Sequence, residues 1–170
     1  LEDESNYKDG EKDGLRKGWY ENGQLRFEAN FKDGELDGLH RQWYENGKLE
    51  EEAHFKDGKQ DGLAKAWYDD GQLEFEGNYK DGKPDGLGKM WHENGQLEEE
   101  FNYKDGEPDG LYRTWYDNGQ LSFEANYKDG KAVTLLKTYN KLGDLSIQFS
   151  ESGYYGGVIL EDIVREYLDN

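Results

Sequence analysis

Residues 7–30 read YKDGEKDGLRKGWYENGQLRFEAN, and most of the chain consists of copies of this stretch. The same order of aromatic, Asp-Gly, Trp and Asx-Gly residues returns every 24 residues, with no insertion or deletion up to residue 126. We therefore divide the chain into repeat units, each of which must pack against its neighbours. The units are 7–30, 31–54, 55–78, 79–102 and 103–126, with a partial sixth at 127–130.

Each unit predicts one β-hairpin. The first strand is the run Gly14–Tyr20, and the second begins at Leu25. Between them stands Asn22-Gly23, a dipeptide that tolerates the positive φ angles of a type I′ turn. The second strand ends at a longer Asp-Gly-x-x-Asp-Gly turn into the next unit. The predicted hairpin-turn glycines are Gly23, Gly47, Gly71, Gly95 and Gly119.

The register follows from charge. A two-residue loop at Asn22-Gly23 places Tyr20 opposite Leu25 and Lys17 opposite Glu28, whereas a three-residue loop would set Lys17 against Phe27. Opposed charges stabilise a strand pair by roughly 0.2–1 kcal/mol, which favours the first register. The predicted structural ion pairs are Lys17 with Glu28, Arg41 with Glu52, Lys65 with Glu76, Lys89 with Glu100, and Arg113 with Glu124.

Stacked hairpins of this kind predict an all-β repeat protein, an elongated and twisted antiparallel meander of five 24-residue units. One face carries Leu15, Lys17 and Trp19, and the other carries Tyr20, Leu25, Phe27, Ala29 and Phe31. The tryptophans then form a stripe, which packs unit against unit or binds a protein. The candidate protein-binding residues are Trp19, Trp43, Trp67, Trp91 and Trp115.

The two ends of the chain depart from the repeat. Residues 1–6 are assigned to an N-terminal leader or tag remnant, and residues 131–170 to C-terminal strands and a helix. The apolar residues of 158–168 recur at helical spacing. We expect this short C-terminal helix to cap the open sheet edge, with a partner-binding or dimerising helix as the alternative.

Composition restricts the partners. The chain has 21 basic and 39 acidic side chains, a net charge of −18. Such a field repels nucleic acid and anionic membranes and attracts a basic protein partner; it also keeps an exposed sheet soluble. No cysteine is present, so a disulfide framework and a thiolate metal site are excluded.

No catalytic or cofactor-binding constellation stands out. His40, His54 and His92 fall in different units and at different repeat positions, which argues against an enzyme. Paired carboxylates at these turns have the oxygen ligands that calcium prefers; examples are Asp9 with Asp13, and Asp81 with Asp85. Asp also favours such turns by bonding to nearby backbone. We therefore predict no metal and no cofactor, with calcium at these turns as the alternative.

The unit resembles a known family. The stretch 79–88 resembles the core of the MORN repeat, and Trp19–Leu25 with the following Glu-x-Asn is more similar to the bacterial MORN variant, over residues 7–130. This resemblance implies hairpin modules that act as scaffolds for proteins, and it extends to YwqK-type antitoxins. We expect a non-catalytic scaffold, of antitoxin or immunity type, that binds a basic protein. The alternative is an exported or surface-displayed structural or adhesion module of a bacterium, so cytoplasm and cell surface both stay open.

Overall fold

The computed structural model describes residues 3–133, 136–149, 154–155 and 158–159. These residues form one 15-stranded sheet and a separate two-stranded ribbon. The strands are β1 (Asp3–Lys8), β2 (Glu11–Trp19), β3 (Leu25–Lys32), β4 (Glu35–Trp43), β5 (Leu49–Lys56), β6 (Lys59–Trp67), β7 (Leu73–Lys80), β8 (Lys83–Trp91), β9 (Leu97–Lys104), β10 (Glu107–Pro108), β11 (Gly110–Trp115), β12 (Leu121–Lys128), β13 (Lys131–Ala132), β14 (Leu136–Tyr139), β15 (Leu145–Phe149), β16 (Tyr154–Tyr155) and β17 (Val158–Ile159).

The large sheet is an antiparallel meander, in which strands that follow one another along the chain lie side by side. Two strands are interrupted: β10 and β11 both pair with β9, and β13 and β14 both pair with β12. Each interrupted pair takes the place of one long strand such as β4. The prediction of an all-β repeat meander with a 24-residue period is confirmed.

The predicted type I′ turn at Asn22-Gly23 is wrong. Tyr20 N–H donates to Gln24 O at 2.8 Å, and Gly23 N–H donates to Tyr20 O at 3.0 Å. The loop therefore has three residues, and within it only Gly23 takes a positive φ, of 82°. Asn22 instead accepts the Gln24 N–H on its Oδ1 at 2.9 Å, a bond that holds the longer loop. Tyr20 consequently lies opposite Gln24 and not opposite Leu25.

Two-residue turns with positive φ occur at the other end of the units. Asp9 and Gly10 have φ angles of 51° and 89° and stand between the paired residues Lys8 and Glu11. Positive φ at both central positions is the conformation of a type I′ turn. The same left-handed aspartate recurs at Asp33, Asp57, Asp81, Asp105 and Asp129.

A β-bulge preserves the register of the ion pairs despite the longer loop. Gly18 pairs with Phe27 and Trp19 pairs with Leu25, so Arg26 is an extra residue on β3. This single insertion offsets the extra loop residue, and Lys17 again lies opposite Glu28. The bulge also moves Leu25 to the face of Trp19, because directly paired residues share a face. The prediction that Leu25 lies with Phe27 is therefore wrong.

The described residues before the first full unit belong to the sheet. Strand β1 places Glu4 opposite Lys17, and Asn6 Nδ2 donates to Leu15 O at 2.9 Å. Asn30 makes the equivalent bond to Leu39 O at 3.3 Å. Residues 3–6 are part of the segment 1–6 that we assigned to a leader or tag remnant. They pair with β2 as the second strand of one unit pairs with the first strand of the next, which the Glu-x-Asn pattern of 4–6 could have indicated.

The repeat also continues beyond residue 131. Asn140 N–H donates to Asp144 O and Gly143 N–H donates to Asn140 O, each at 2.9 Å, which reproduces the loop of Tyr20 to Gln24. The loop joins β14 to β15, in the expected C-terminal strand region. Sequence analysis missed this sixth hairpin because the tryptophan and the asparagine of the motif are replaced; the glycine at the 24-residue spacing was its only strong mark.

The C-terminal helix finds no support among the described residues. Its first two residues, Val158 and Ile159, form strand β17 and pair with β16. The rest of the predicted helix, 160–168, lies outside the described residues. The described part of the chain also holds no helix of the length and apolarity needed to cross a membrane.

The buried core is thin and lies on one face of the sheet. Its buried hydrophobic residues are Ala29, Ala53, Ala64, Ala125 and Leu136. We call this the groove face, and we define it by Phe27, Ala29, Phe31 and their equivalents in the other units. Small residues here let rings lie flat on the sheet: a Cβ added to Gly88 would collide with the Phe101 ring, and one added to Gly77 would lie 2.6 Å from Phe75.

Candidate functional site

The opposite face of the sheet carries a row of ion pairs, and we call it the ladder face. Each predicted pair spans the two strands of one hairpin, and its members are partly exposed. The nitrogen–oxygen distances are 3.0 Å for Lys17–Glu28, 2.7 Å for Arg41–Glu52, 2.7 Å for Lys65–Glu76, 3.3 Å for Lys89–Glu100 and 2.8 Å for Arg113–Glu124.

These pairs join into one continuous ladder. Glu52 faces Arg41 in its own hairpin and Lys65 in the next, and Glu76 likewise faces Lys65 and Lys89. The ladder begins at Glu4, opposite Lys17. Sequence analysis considered only the ion pairs inside a unit. The pairs between units could have been predicted from the short Asp-Gly turn at each unit boundary and from the strict 24-residue period. Each of the five bases in the ladder therefore has an acid opposite it on both neighbouring strands.

The last acid of the ladder shows the electrostatic effect most clearly. Hydrogen bonds from Arg113, and next from Lys137, hold the pKa of the Glu124 carboxyl below its usual value. Lys137 Nζ lies 3.0 Å from Glu124 Oε1. Two cations thus stabilise the ionised form of one carboxylate.

The tryptophans lie on the ladder face at the hairpin-turn end of the strands. Trp19 follows Lys17 by two residues, which keeps both side chains on one face, and it pairs with Leu25. The other tryptophans pair with the equivalent leucines, and all five are partly exposed. The structure therefore brings Trp19, Trp43, Trp67, Trp91 and Trp115 to equivalent positions in successive hairpins, beside the ion ladder.

Side chains near each hairpin turn tie one unit to the next. Tyr20 Oη donates to Trp43 O at 2.6 Å, and Asn22 Nδ2 donates to Glu45 O at 2.9 Å. His92 occupies the tyrosine position of its unit, with Nε2 at 3.0 Å from Trp115 O. Because a carbonyl only accepts, Nε2 carries the proton in this bond. His92 thus replaces a tyrosine in packing.

The Asp-Gly turns use their carboxylates on the backbone. Asp61 Oδ2 accepts the Asp81 N–H at 3.2 Å, and Asp85 Oδ2 accepts the Asp105 N–H at 3.1 Å, in each case from the following unit. Among the described residues, no group of three or more acidic or histidine side chains could hold a metal ion. Calcium at these turns gains no support from the geometry.

The groove face contains a hollow that sequence analysis missed, since three neighbouring strands build it. The hollow has a volume of about 240 Å³, and four rings together with Met90 and Glu99 line it. The rings are those of Phe75, Tyr79, Phe101 and Tyr103. Burial raises the pKa of the Glu99 carboxyl, which also accepts a hydrogen bond from Tyr112. One partly buried carboxylate thus stands among aromatic rings.

Comparison with known proteins agrees with the repeat. The model of the MORN repeat variant family matches five segments, 12–33, 36–57, 60–81, 84–105 and 108–129. These segments keep the 24-residue period and together cover more than half of the chain. No curated protein matches the chain. The chain belongs to the MORN repeat variant family.

Proposed function

We propose that this chain is a non-catalytic protein-binding scaffold whose acidic, aromatic-rich surface binds a basic partner protein, as a bacterial antitoxin or immunity protein of YwqK type does. MORN repeats are in general binding scaffolds for proteins or membranes. The observation that carries the proposal is the ion ladder. It pairs five basic residues of the ladder face with acids, while the chain as a whole has 18 more acidic than basic side chains. The net charge that a partner encounters is therefore negative.

The tryptophan row supplies the second half of such a surface. Its five side chains are partly exposed and stand at equivalent positions in successive hairpins. Trp is among the residues that dominate binding energy at protein interfaces. Negative surface charge favours a basic protein over an anionic membrane and speeds its association. A basic toxin surface has the matching chemistry.

The test compares wild-type protein with a variant in which Trp43, Trp67 and Trp91 are replaced by Ala. Both are immobilised and exposed to lysate at low and high salt, and every retained basic protein is purified and its Kd measured. As a matched control, Tyr20→Phe, Tyr44→Phe and Tyr68→Phe are combined, which changes three aromatics of the turn region while keeping the rings. Circular dichroism establishes that both variants fold.

We expect one basic protein to bind the wild type and the tyrosine variant at low salt, to leave at high salt, and to be lost on the tryptophan variant. Failure of all basic candidates at low salt would refute the scaffold proposal. A capture that stays empty would favour the exported or surface-displayed structural or adhesion module. Equal binding by the tryptophan variant and the wild type would indicate that the partner binds elsewhere than on the tryptophan row of the ladder face.

A further inference from the structure

The hollow on the groove face has the composition of a cation site. Four aromatic rings surround it, and the Glu99 carboxylate reaches it. The faces of aromatic rings attract cations, and a nearby carboxylate adds a full negative charge. Tyr112 donates one hydrogen bond to Glu99, and an ionised carboxylate has further acceptor sites. Glu99 therefore retains the capacity to bind a donor from outside.

Near the first unit, aromatic rings of the groove face make cation–π contacts with basic side chains of the chain itself. The Arg16 guanidinium lies 5.0 Å from the centre of the Phe27 ring, and that of Arg26 lies 5.2 Å from it. The Lys12 ammonium lies 5.1 Å from the centre of the Phe31 ring. At this end of the groove face the chain covers its own rings, Phe27 and Phe31, with its own cations.

The equivalent positions at the hollow lack all three cations. The residues 72 positions after Lys12, Arg16 and Arg26 are a proline, a glycine and a glutamate. They are Pro84, Gly88 and Glu98, of which Pro84 and Gly88 line the hollow. Of the two rings, that of Phe31 is kept as Tyr103 at the same interval, whereas Glu99 takes the position of Phe27. The Phe101 ring stands at the position of Ala29. The lining of the hollow thus holds four rings and the Glu99 carboxylate but no basic side chain.

We propose that the hollow binds an arginine side chain of the basic partner, with the guanidinium between the rings and hydrogen-bonded to Glu99. This inference rests on the proposed function, because the arginine belongs to the partner described there. A guanidinium is planar and weakly hydrated, stacks on rings, and matches a carboxylate through two donors. Pockets for drug-sized molecules measure ~300–1,000 Å³, so this smaller hollow suits a single side chain.

The chain offers a probe inside the site. Met90 is its only methionine and lines the hollow. Labelling the methionine methyl with ¹³C gives a single NMR resonance that reports on the hollow alone. The ligand is the capped tripeptide acetyl-Gly-Arg-Gly-amide, compared at neutral pH with the same tripeptide carrying lysine or norleucine in place of arginine.

We expect a saturable shift of the Met90 resonance with the arginine peptide, weaker binding of the lysine peptide and none of the norleucine peptide. Glu99→Gln should weaken binding about tenfold, the effect of one charge-assisted hydrogen bond. Glu93→Gln removes an equal charge at an exposed position of the same unit and should change nothing. Pro84→Lys places an ammonium where Lys12 stands in the first unit, and it should abolish binding; Leu36 and Gln60 show that the position accepts other residues.

Equal binding of the norleucine peptide, tighter binding of the lysine peptide, or unchanged affinity in Glu99→Gln or Pro84→Lys would each overturn the assignment. Because these probes are peptides, failure here is separate from failure of the scaffold proposal. A Met90 resonance that does not shift with the arginine peptide would overturn the proposed arginine site, while the capture experiment on the tryptophan row tests the scaffold proposal.

Discussion

Exchanging the two charges of the central ion pair, Lys65→Glu with Glu76→Lys, tests whether this pair is isolated or belongs to a continuous ladder. An isolated pair would survive the exchange, because opposite charges still face each other. In the ladder, Lys65 also faces Glu52, and Glu76 also faces Lys89. The exchange turns both of these outer contacts into like-charge contacts. We therefore expect the exchanged protein to be less stable than the wild type.

The magnitude follows from the number of contacts that change. Two attractions disappear and two repulsions appear, each worth roughly 0.2–1 kcal/mol between directly opposed residues. The full range is about 1–4 kcal/mol, but the two side chains are 30% and 39% exposed, so solvent screens part of it. We expect a loss of about 1–2 kcal/mol at low salt, which shrinks as salt screens the repulsion.

Urea unfolding followed by circular dichroism, at low and high salt, measures this loss. The control exchanges the exposed pair Asp117 and Lys141, whose nitrogen and oxygen lie 3.0 Å apart outside the ladder; it should be nearly neutral. An exchanged central pair that is as stable as the wild type at low salt would refute the continuous ladder.

Three further predictions concern stability, each measured by urea unfolding. Tyr68→Phe removes the 2.6 Å bond from the Tyr68 hydroxyl to Trp91 O and should cost roughly 0.5–1.5 kcal/mol, whereas His92→Tyr, which can remake its bond, should cost little; equal costs would contradict the inter-unit bonds. Because the pKa of Glu124 is lowered in the folded state, this carboxylate stabilises the fold above the unfolded carboxyl pKa, and the stabilisation is lost as pH falls through the folded pKa. The pKa of Glu99 is raised, so its ionised form destabilises the fold. At neutral pH, Glu124→Gln should therefore lower the free energy of unfolding and Glu99→Gln should raise it. Asp57→Val forces a β-branched residue to a φ of 47° and should cost about 1–2 kcal/mol, while Asp57→Asn should be tolerated; a tolerated valine would show that this turn is not left-handed.

The turns show where local sequence stops being decisive. Asn22-Gly23 and Asp9-Gly10 have the same chemistry, an Asx residue followed by glycine, and both positions allow a left-handed backbone. The longer loop is held instead by two further bonds of Asn22, one from Gln24 N–H within the loop and one to Glu45 O in the next unit. The predicted loop was wrong for this reason, while the predicted pairing of Lys17 with Glu28 rested on charges that the bulge at Arg26 keeps in register.

The sequence by itself determined the period, the hairpins and the antiparallel meander, because those depend on residues less than 24 positions apart and recur in every unit. It also placed the tryptophans in equivalent positions. Only the tertiary structure decided the continuity of the ladder and the existence of the hollow. Both arise where residues of different units meet, and the hollow depends on substitutions at single positions, such as Gly88 and Glu99, which a repeat consensus averages away.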